Sequence, residues 1–380
     1  MLGFVSLFMD VSSELIHSLL PVFMVSSLGA SALVVGLVEG VAEATALIVK
    51  VFSGTVSDYL GKRKALAVFG YGLGAVSKPI FALAFSVQWV LAARFMDRVG
   101  KGIRGAPRDA LVADLTAPEI RGAAYGLRQS LDTVGAFLGP LLGVGLMLLW
   151  AGDFRTVFWF AVIPAIIAVM LLIFGVEEPG TGVVRRNLSS PIRWQTLSDL
   201  GGVYWWVVAA GGVFTLARFS EAFLLLRAQQ LGLPDTYAPL VLVIMNIVYA
   251  LTAYPMGKLA DRMSHKVLLG AGLVVLIISD LVLAQASGLT MVAVGVALWG
   301  LHMGMTQGLL ATMVAGTAPE NLRGTAFGFF NLVSGIAMLI ASVLAGLLWD
   351  KLGADVTFYA GAIFSLLAFF MLVSGRGRPA

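Results

Sequence analysis

Cysteine is absent from the 380 residues, and histidine occurs only at 17, 265 and 302. Disulfides, thiolate metal centres and cysteine nucleophiles are therefore excluded. Charge is also scarce: 12% of residues are charged, where a soluble domain carries about a quarter. A phosphate-binding G-x4-G-K-[ST] loop is missing, so ATP hydrolysis is not the energy source. H-E-x-x-H and G-x-S-x-G are missing too, and nothing suggests an enzyme or a cofactor. Residues 1–24 lack a basic start and a small-residue cleavage site and are interrupted by acids, so they read as a first span and not a cleavable leader.

Hydrophobic residues make up 59% of the chain and the mean hydropathy is +0.94. Apolar stretches near the ~20 residues needed to cross a bilayer recur throughout. They predict an all-α membrane protein with about twelve spans, at 2–24, 32–56, 65–85, 87–107, 122–149, 156–176, 204–228, 238–258, 266–286, 289–315, 324–349 and 354–374. No room is left for a sizeable soluble domain, and the net charge of +4 is no nucleic-acid signal.

The distribution of basic residues orients the spans. With the N-terminus inside, fifteen of the 25 Lys and Arg fall in inner stretches, against Arg155, Arg227 and Lys351 outside. That bias places both termini in the cytoplasm. The polar stretch 177–200, with Arg185 and Arg186, reads as a cytoplasmic linker between halves at 1–176 and 204–380.

The halves repeat. Gly54-x3-Asp58 at the end of span two returns as Gly257-x3-Asp261 at the end of span eight. Ala117-Pro118-Glu119 leading to Arg121-Gly122 returns 202 residues later as Ala318-Pro319-Glu320 leading to Arg323-Gly324. Two motifs at nearly one offset indicate a duplicated six-helix unit.

The loop from Gly54 through Asp58 and Gly61 to Lys62, Arg63 and Lys64 is similar to the signature G-x3-D-x2-G-R-[RK] of the major facilitator superfamily, with Lys62 for the usual Arg. The second copy is degenerate, with Ser264 where Gly is expected. Arg94-x3-Arg98-Val-Gly100-Lys-Gly102 resembles the family's span-four pattern. Gly135-x3-Gly139-Pro140-x2-Gly143 resembles the span-five signature of its drug–proton antiporter branch, with Val144 in place of the last Gly. The resemblance implies two pseudo-symmetric six-helix bundles around a central cavity lined by spans one, four, five and seven. It also implies a cytoplasmic gate at Asp58 and its neighbours, with Asp261, Arg323 and Gly324 as second-half counterparts. Gly135 and Gly139 share one helix face, permitting close backbone approach, and Pro140 can bend the helix.

Ionisable groups inside spans are costly and normally face water or one another. Span one carries Asp10, Glu14 and His17 on one face, and span two carries Glu39, Glu43 and Lys50. Span four carries Arg94, Arg98 and Lys101 with Asp97 beside them; span five has Arg128 and Asp132, and span seven Arg218 and Glu221. These predict a charge-lined pocket, with ion pairs that merely join helices as the plainer alternative. Lys78 reads as a packing residue, and Lys101 and Arg104 as residues that can snorkel to the inner surface. Asp280 is open to either reading. His302, with Met303 and Met305, reads as a polar cavity residue among core methionines more readily than as a soft-metal site. Asn246, Gln307 and Asn331 can bond a solute or bridge helices.

The leading expectation is a secondary active transporter that exports a small polar or charged solute in exchange for protons, as a monomer in a bacterial inner membrane. Asp10 and Glu14 are the first proton-coupling candidates, followed by Glu39, Glu43, Asp132 and Glu221. A carboxylate there is poised between desolvation and a neighbouring cation. Proton-coupled uptake of a polar metabolite and a non-transporting sensor are the alternatives.

Overall fold

The computed structural model describes residues 1–60, 62–178, 200–260, 262–306, 308–319 and 322–374, without the side chains of Thr55, Asp58 and Pro118. The described residues form α-helices, two short 3-10 turns and connecting loops, with no strand among them.

Two compact units emerge. The first comprises residues 1–29, 41–190 and 235–240, and the second 30–40, 191–234 and 241–380. The first unit contains α1 (Leu2–His17), α2 (Leu20–Ser26), most of α3 (Ala32–Leu60), α4 (Arg63–Ala82), α5 (Val87–Asp114), α6 (Arg121–Leu149), α7 (Phe154–Phe160) and α8 (Val162–Gly175). The second contains α9 (Gly202–Ala217), α10 (Ala222–Gln230), α11 (Leu240–Ala260), α12 (His265–Ala284), α13 (Leu289–Thr306), α14 (Leu309–Thr317), α15 (Arg323–Leu352) and α16 (Ala354–Ser374).

Eleven helical stretches are long and apolar enough to cross a membrane. The fourth of the twelve expected spans, α5, is long enough but carries too many charges to qualify by composition alone. Outward faces are apolar: Phe174, Leu149, Leu251 and Val373 are each more than two thirds exposed, as suits a hydrocarbon surrounding.

The sequence repeat is a structural repeat. Helices α4 and α12 coincide in length at an offset of 202 residues, and α13 and α15 begin 202 residues after α5 and α6. Packing partners repeat as well: α1 packs on α6 and α8 as α9 packs on α15 and α16, and α4 on α5 as α12 on α13. The first core joins Val5, Met9, Tyr71, Leu111 and Leu172; the second joins Tyr204, Val208, Phe214, Leu273 and Leu372. Burying such side chains contributes about 1.5–3 kcal/mol each in water, and less where lipid is the alternative surrounding.

Three expected spans are interrupted. Span one breaks at Ser18–Leu19, where Pro21 in the first turn of α2 cannot continue the preceding ladder. Span seven breaks at residues 218–221, and span ten restarts at Gly308, whose φ of 75° suits a residue without Cβ. Hydropathy does not register such breaks, because the residues on either side stay apolar. Span four also runs farther than 107: α5 continues to Asp114 because its polar last turns find partners on α1, α4 and α6.

Candidate functional site

The charged residues of the first unit collect on α1, α4, α5 and α6. Their placement follows from glycine. At Gly135 an added Cβ would lie 2.9 Å from the Asp10 Cβ and from the Leu7 carbonyl oxygen. At Gly139 it would lie 2.8 Å from the Glu14 Cβ and 2.9 Å from the Val11 oxygen. Real Cβ atoms do not come so close, so α1 and α6 touch backbone to backbone only because these positions are glycine. The contact lies directly behind the two acids and fixes where they stand. Gly143 is looser, with Pro239 and Ser18 at 3.6 Å. Pro140 is buried within α6.

The same device joins α5 to its neighbours. At Gly100 a Cβ would meet the Gly70 oxygen at 2.6 Å, and at Gly102 the Val49 Cβ at 2.7 Å. Ser53 donates to the Ile103 oxygen across that second crossing.

Around this frame the charges form a connected set. Glu14 Oε2 lies 3.2 Å from His17 Nδ1, and Asp10 Oδ1 lies 4.0 Å from Arg104 Nη2. Arg104 rests over the Tyr71 ring at 4.8 Å. Arg98 Nη2 reaches Glu43 Oε1 at 3.2 Å. Arg128 donates to Asp132 at 2.5 Å, one helical turn along α6. Arg108 donates to Asp109 and to Ser6, and lies 3.9 Å from Asp132. Asp10, Glu14, Glu43, Arg128 and Asp132 are half-buried, while Arg94 and Arg98 are buried.

Lys78 and Asp97 stand apart. Both are at most 2% exposed and pair at 2.8 Å, with Ser13 accepting a further bond from the ammonium at 3.0 Å. Asp97, expected in the solute cavity, is thus committed to Lys78, the residue expected only to pack.

At the start of α4 Arg63 pairs with Asp114 at the end of α5, and Arg121 Nε donates to the Ala113 and Thr116 carbonyls that end α5. Cations on exposed C-terminal carbonyls match both their hydrogen-bonding need and the helix dipole. Gly54 lies near Ala106, while Lys62 and Gly122 are exposed. The Asp58 side chain and Gly61 lie outside the described residues.

In the second unit the expected residues are dispersed. Arg218 lies over the Phe214 ring at 5.9 Å, at the break that also holds Glu221. His302 is fully buried, its Nδ1 2.8 Å from the Gly272 oxygen, and no group of three metal-ligating side chains occurs among the described residues. Glu39 is buried, Asn246 and Asn331 are half-buried, and Gly257, Arg323 and Gly324 are exposed. Asp261, Gln307 and the stretch 179–199, which includes most of the expected linker, lie outside the described residues. Arg227, expected outside the membrane, is inside α10 and donates to the Leu283, Ala284 and Ala286 carbonyls, closing the end of α12.

Sequence reasoning missed Asp114, Asp109, Tyr71 and Ser13. Asp114 meets Arg63 from 51 residues away, a distance at which no helical period connects them. The spacing of Asp109 one residue after Arg108 was visible, but its use by Arg128 at 3.8 Å needed the packing of α5 on α6.

Comparison with known proteins places this architecture. A family model described as Major Facilitator Superfamily matches residues 2–234 and 219–380. The chain is 31% identical over 381 residues to an uncharacterised MFS-type transporter of Methanocaldococcus jannaschii, covering 98% of this chain and 93% of the relative. It is 23% identical over 338 residues to the multidrug resistance protein MdtH of Salmonella newport, covering 88% and 82%. Among solved structures, a POT family transporter in complex with a thioalcohol-conjugated peptide aligns at TM-score 0.83 and 13% identity, over 98% and 94% of the two chains. The nucleoside transporter NupG aligns at 0.79 and 12%, over 98% of each. At those identities the structures share the fold alone.

Proposed function

The chain belongs to the major facilitator superfamily as a multi-pass membrane transporter, and on that premise we propose that it exports a small polar or charged solute in exchange for protons. The observation that carries this reading is the backbone contact of α1 with α6, which holds Asp10 and Glu14 one helical turn apart beside Arg104 and His17. Acids in a membrane protein that have cations within reach can exchange a proton as access alternates between the two sides. The solute then binds among Arg94, Arg98, Arg128 and the second-unit groups Arg218, Asn246 and Asn331. The span-five glycine pattern and the named role of the Salmonella relative both favour export.

Two parts of the machinery follow. The α4–α5 end, with Arg63 on Asp114 and Arg121 on the last carbonyls, forms a cytoplasmic latch together with Asp58. Both termini and the linker face the cytoplasm of an inner membrane, and the six-helix halves at 1–176 and 204–380 alternate as a monomer.

The test begins with a growth screen of expressing and non-expressing cells against toxic compounds. Flux of the protected compound is then followed in proteoliposomes under an imposed pH gradient. Glu14→Gln and the double variant with Asp10→Asn should abolish gradient-driven movement and leave exchange, because an amide bonds solute but carries no proton. Full accumulation in the double variant would place coupling elsewhere. Accumulation with the gradient, not against it, would favour uptake.

A further inference from the structure

Positions 202 residues apart occupy the same place in the two units. Lys78 of α4 corresponds to Asp280 of α12, and Asp97 of α5 to Trp299 of α13. The surroundings confirm the register. Gly70 meets Gly100 in the first unit, and Gly272 meets His302, at the same offset, in the second. Where the first unit closes an ion pair, the second therefore presents a lone carboxyl to an indole.

Asp280 is fully buried, and neither carboxyl oxygen has a hydrogen-bond partner among the described residues. The Trp299 Nε1, 1% exposed as a residue, has none either. The site is tight. A Cβ on Gly361 of α16 would lie 2.8 Å from Asp280 Oδ2 and 2.9 Å from the Phe219 ring edge. Phe219 in turn packs on Trp299 with ring centroids 5.5 Å apart. It belongs to the break between α9 and α10, between Arg218 and Ser220.

Charged and titratable groups on the packed elements do not reach the carboxyl. His302, the one such residue of α13, is spent on Gly272, two turns from Asp280 along α12. On α16 they are Asp355 and Tyr359, and at the break Arg218 and Glu221; α14 has none. None forms an ion pair or hydrogen bond with Asp280. An ionised carboxylate in such a shell is uncompensated, and the group neutralises instead. A metal ion would need several oxygen ligands, and among the described residues no such cluster is present. A proton needs only the carboxyl itself.

We propose that Asp280 is a proton-binding site of the second unit, carrying its proton in this conformation and releasing it when the break at residues 218–221 rearranges. On release the O–H bond breaks, the proton passes to water admitted by the displacement of Phe219, and Arg218, the neighbour of Phe219, turns to pair with the carboxylate. The break is the movable part because its residues lie outside both flanking helical ladders; the Ser220 N–H is instead held by Ser342 Oγ at 3.3 Å. The assignment extends the proton-coupled reading but is tested without transport.

Two measurements on the purified full chain decide it. In infrared spectra at neutral pH, a protonated-carboxyl band that shifts in heavy water should be present in the wild type and missing in Asp280→Asn. It should be moved but retained in Gly361→Ala, whose methyl presses on Oδ2. Identical spectra for the wild type and both variants would overturn the assignment. The absence of cysteine allows the second measurement. Maleimide labelling of Ser220→Cys should rise several-fold with pH beyond the rise due to thiol ionisation, and that additional rise should vanish with Asp280→Asn. An unchanged profile would overturn the link to the break. A failure of proton coupling at Glu14 would leave both results intact, so the two readings fall separately.

Discussion

At the α4–α5 interface of the first unit Lys78 and Asp97 meet at 2.8 Å; at the matching α12–α13 interface of the second, Asp280 and Trp299 both lack hydrogen-bond partners. The contrast extends along the helices. Helix α5 carries Arg94, Asp97, Arg98, Lys101, Arg104, Arg108 and Asp109, while α13 carries only His302 among charged or titratable residues. After duplication one fold has kept its packing and divided its electrostatics. Compensated charge serves as a solute and coupling surface in the first unit, and an isolated acid remains in the second. Neutralised charges can be held in place permanently, whereas an uncompensated carboxyl ties its protonation to conformation.

The sharpest way to break the comparison is to unpair the first interface. Lys78→Met leaves Asp97 buried without its cation and should cost about 3–5 kcal/mol, read from denaturant unfolding in detergent. Adding Asp97→Leu should recover most of that loss. A single variant as stable as the wild type would mean the pair does not bear on stability.

The glycine contact gives the next effect. Gly139→Val places branches where even a Cβ would be 2.8 Å from the Glu14 Cβ, so α1 and α6 must separate at a cost of about 1–3 kcal/mol. The second unit has Ala337 and Ala341 at the positions matching Gly135 and Gly139, and α15 accommodates them. Ala341→Gly should change stability by about 1 kcal/mol or less. Equal effects at both sites would remove the distinction between the two crossings.

At Asp280 the sign should reverse. Asp280→Leu removes a buried polar group that has no partner and should raise unfolding stability by about 1–2 kcal/mol, against the loss expected at Asp97. Destabilisation would reveal an interaction that the geometry does not contain.

The smallest effect lies at the α6–α7 turn. Asp153 caps α7, and the Thr156 hydroxyl, with the Arg155 and Thr156 backbone bonds, holds its carboxyl below the usual carboxylate value. That contribution is present above the ordinary carboxylate range and is lost as pH falls through the depressed value. Asp153→Ala should cost about 1 kcal/mol near neutrality, with the gap to the wild type narrowing in acid. The matching Asp355 lies inside the first turn of α16 and not at its cap, so Asp355→Ala should show a smaller gap at every pH.

Composition and the positions of Lys and Arg were enough to read the helical membrane class, the number of spans and their duplication. Hydrophobic runs and a fixed 202-residue offset are properties of the chain itself. The acids on α1 and the glycines on α6 were likewise visible, because both follow the helical period. Their mutual contact was not, since Gly135 and Asp10 are brought together only by tertiary packing. Three expected spans proved broken because hydropathy measures burial in lipid and not backbone continuity. The partners of Lys78, Arg63 and Asp280 were decided by which helices lie side by side, and the physical reason is reach. A side chain selects among groups within a few ångströms, and in a helical membrane protein those groups come from spans tens of residues away. Sequence therefore determined which charges enter the bilayer, and tertiary structure decided which of them are neutralised.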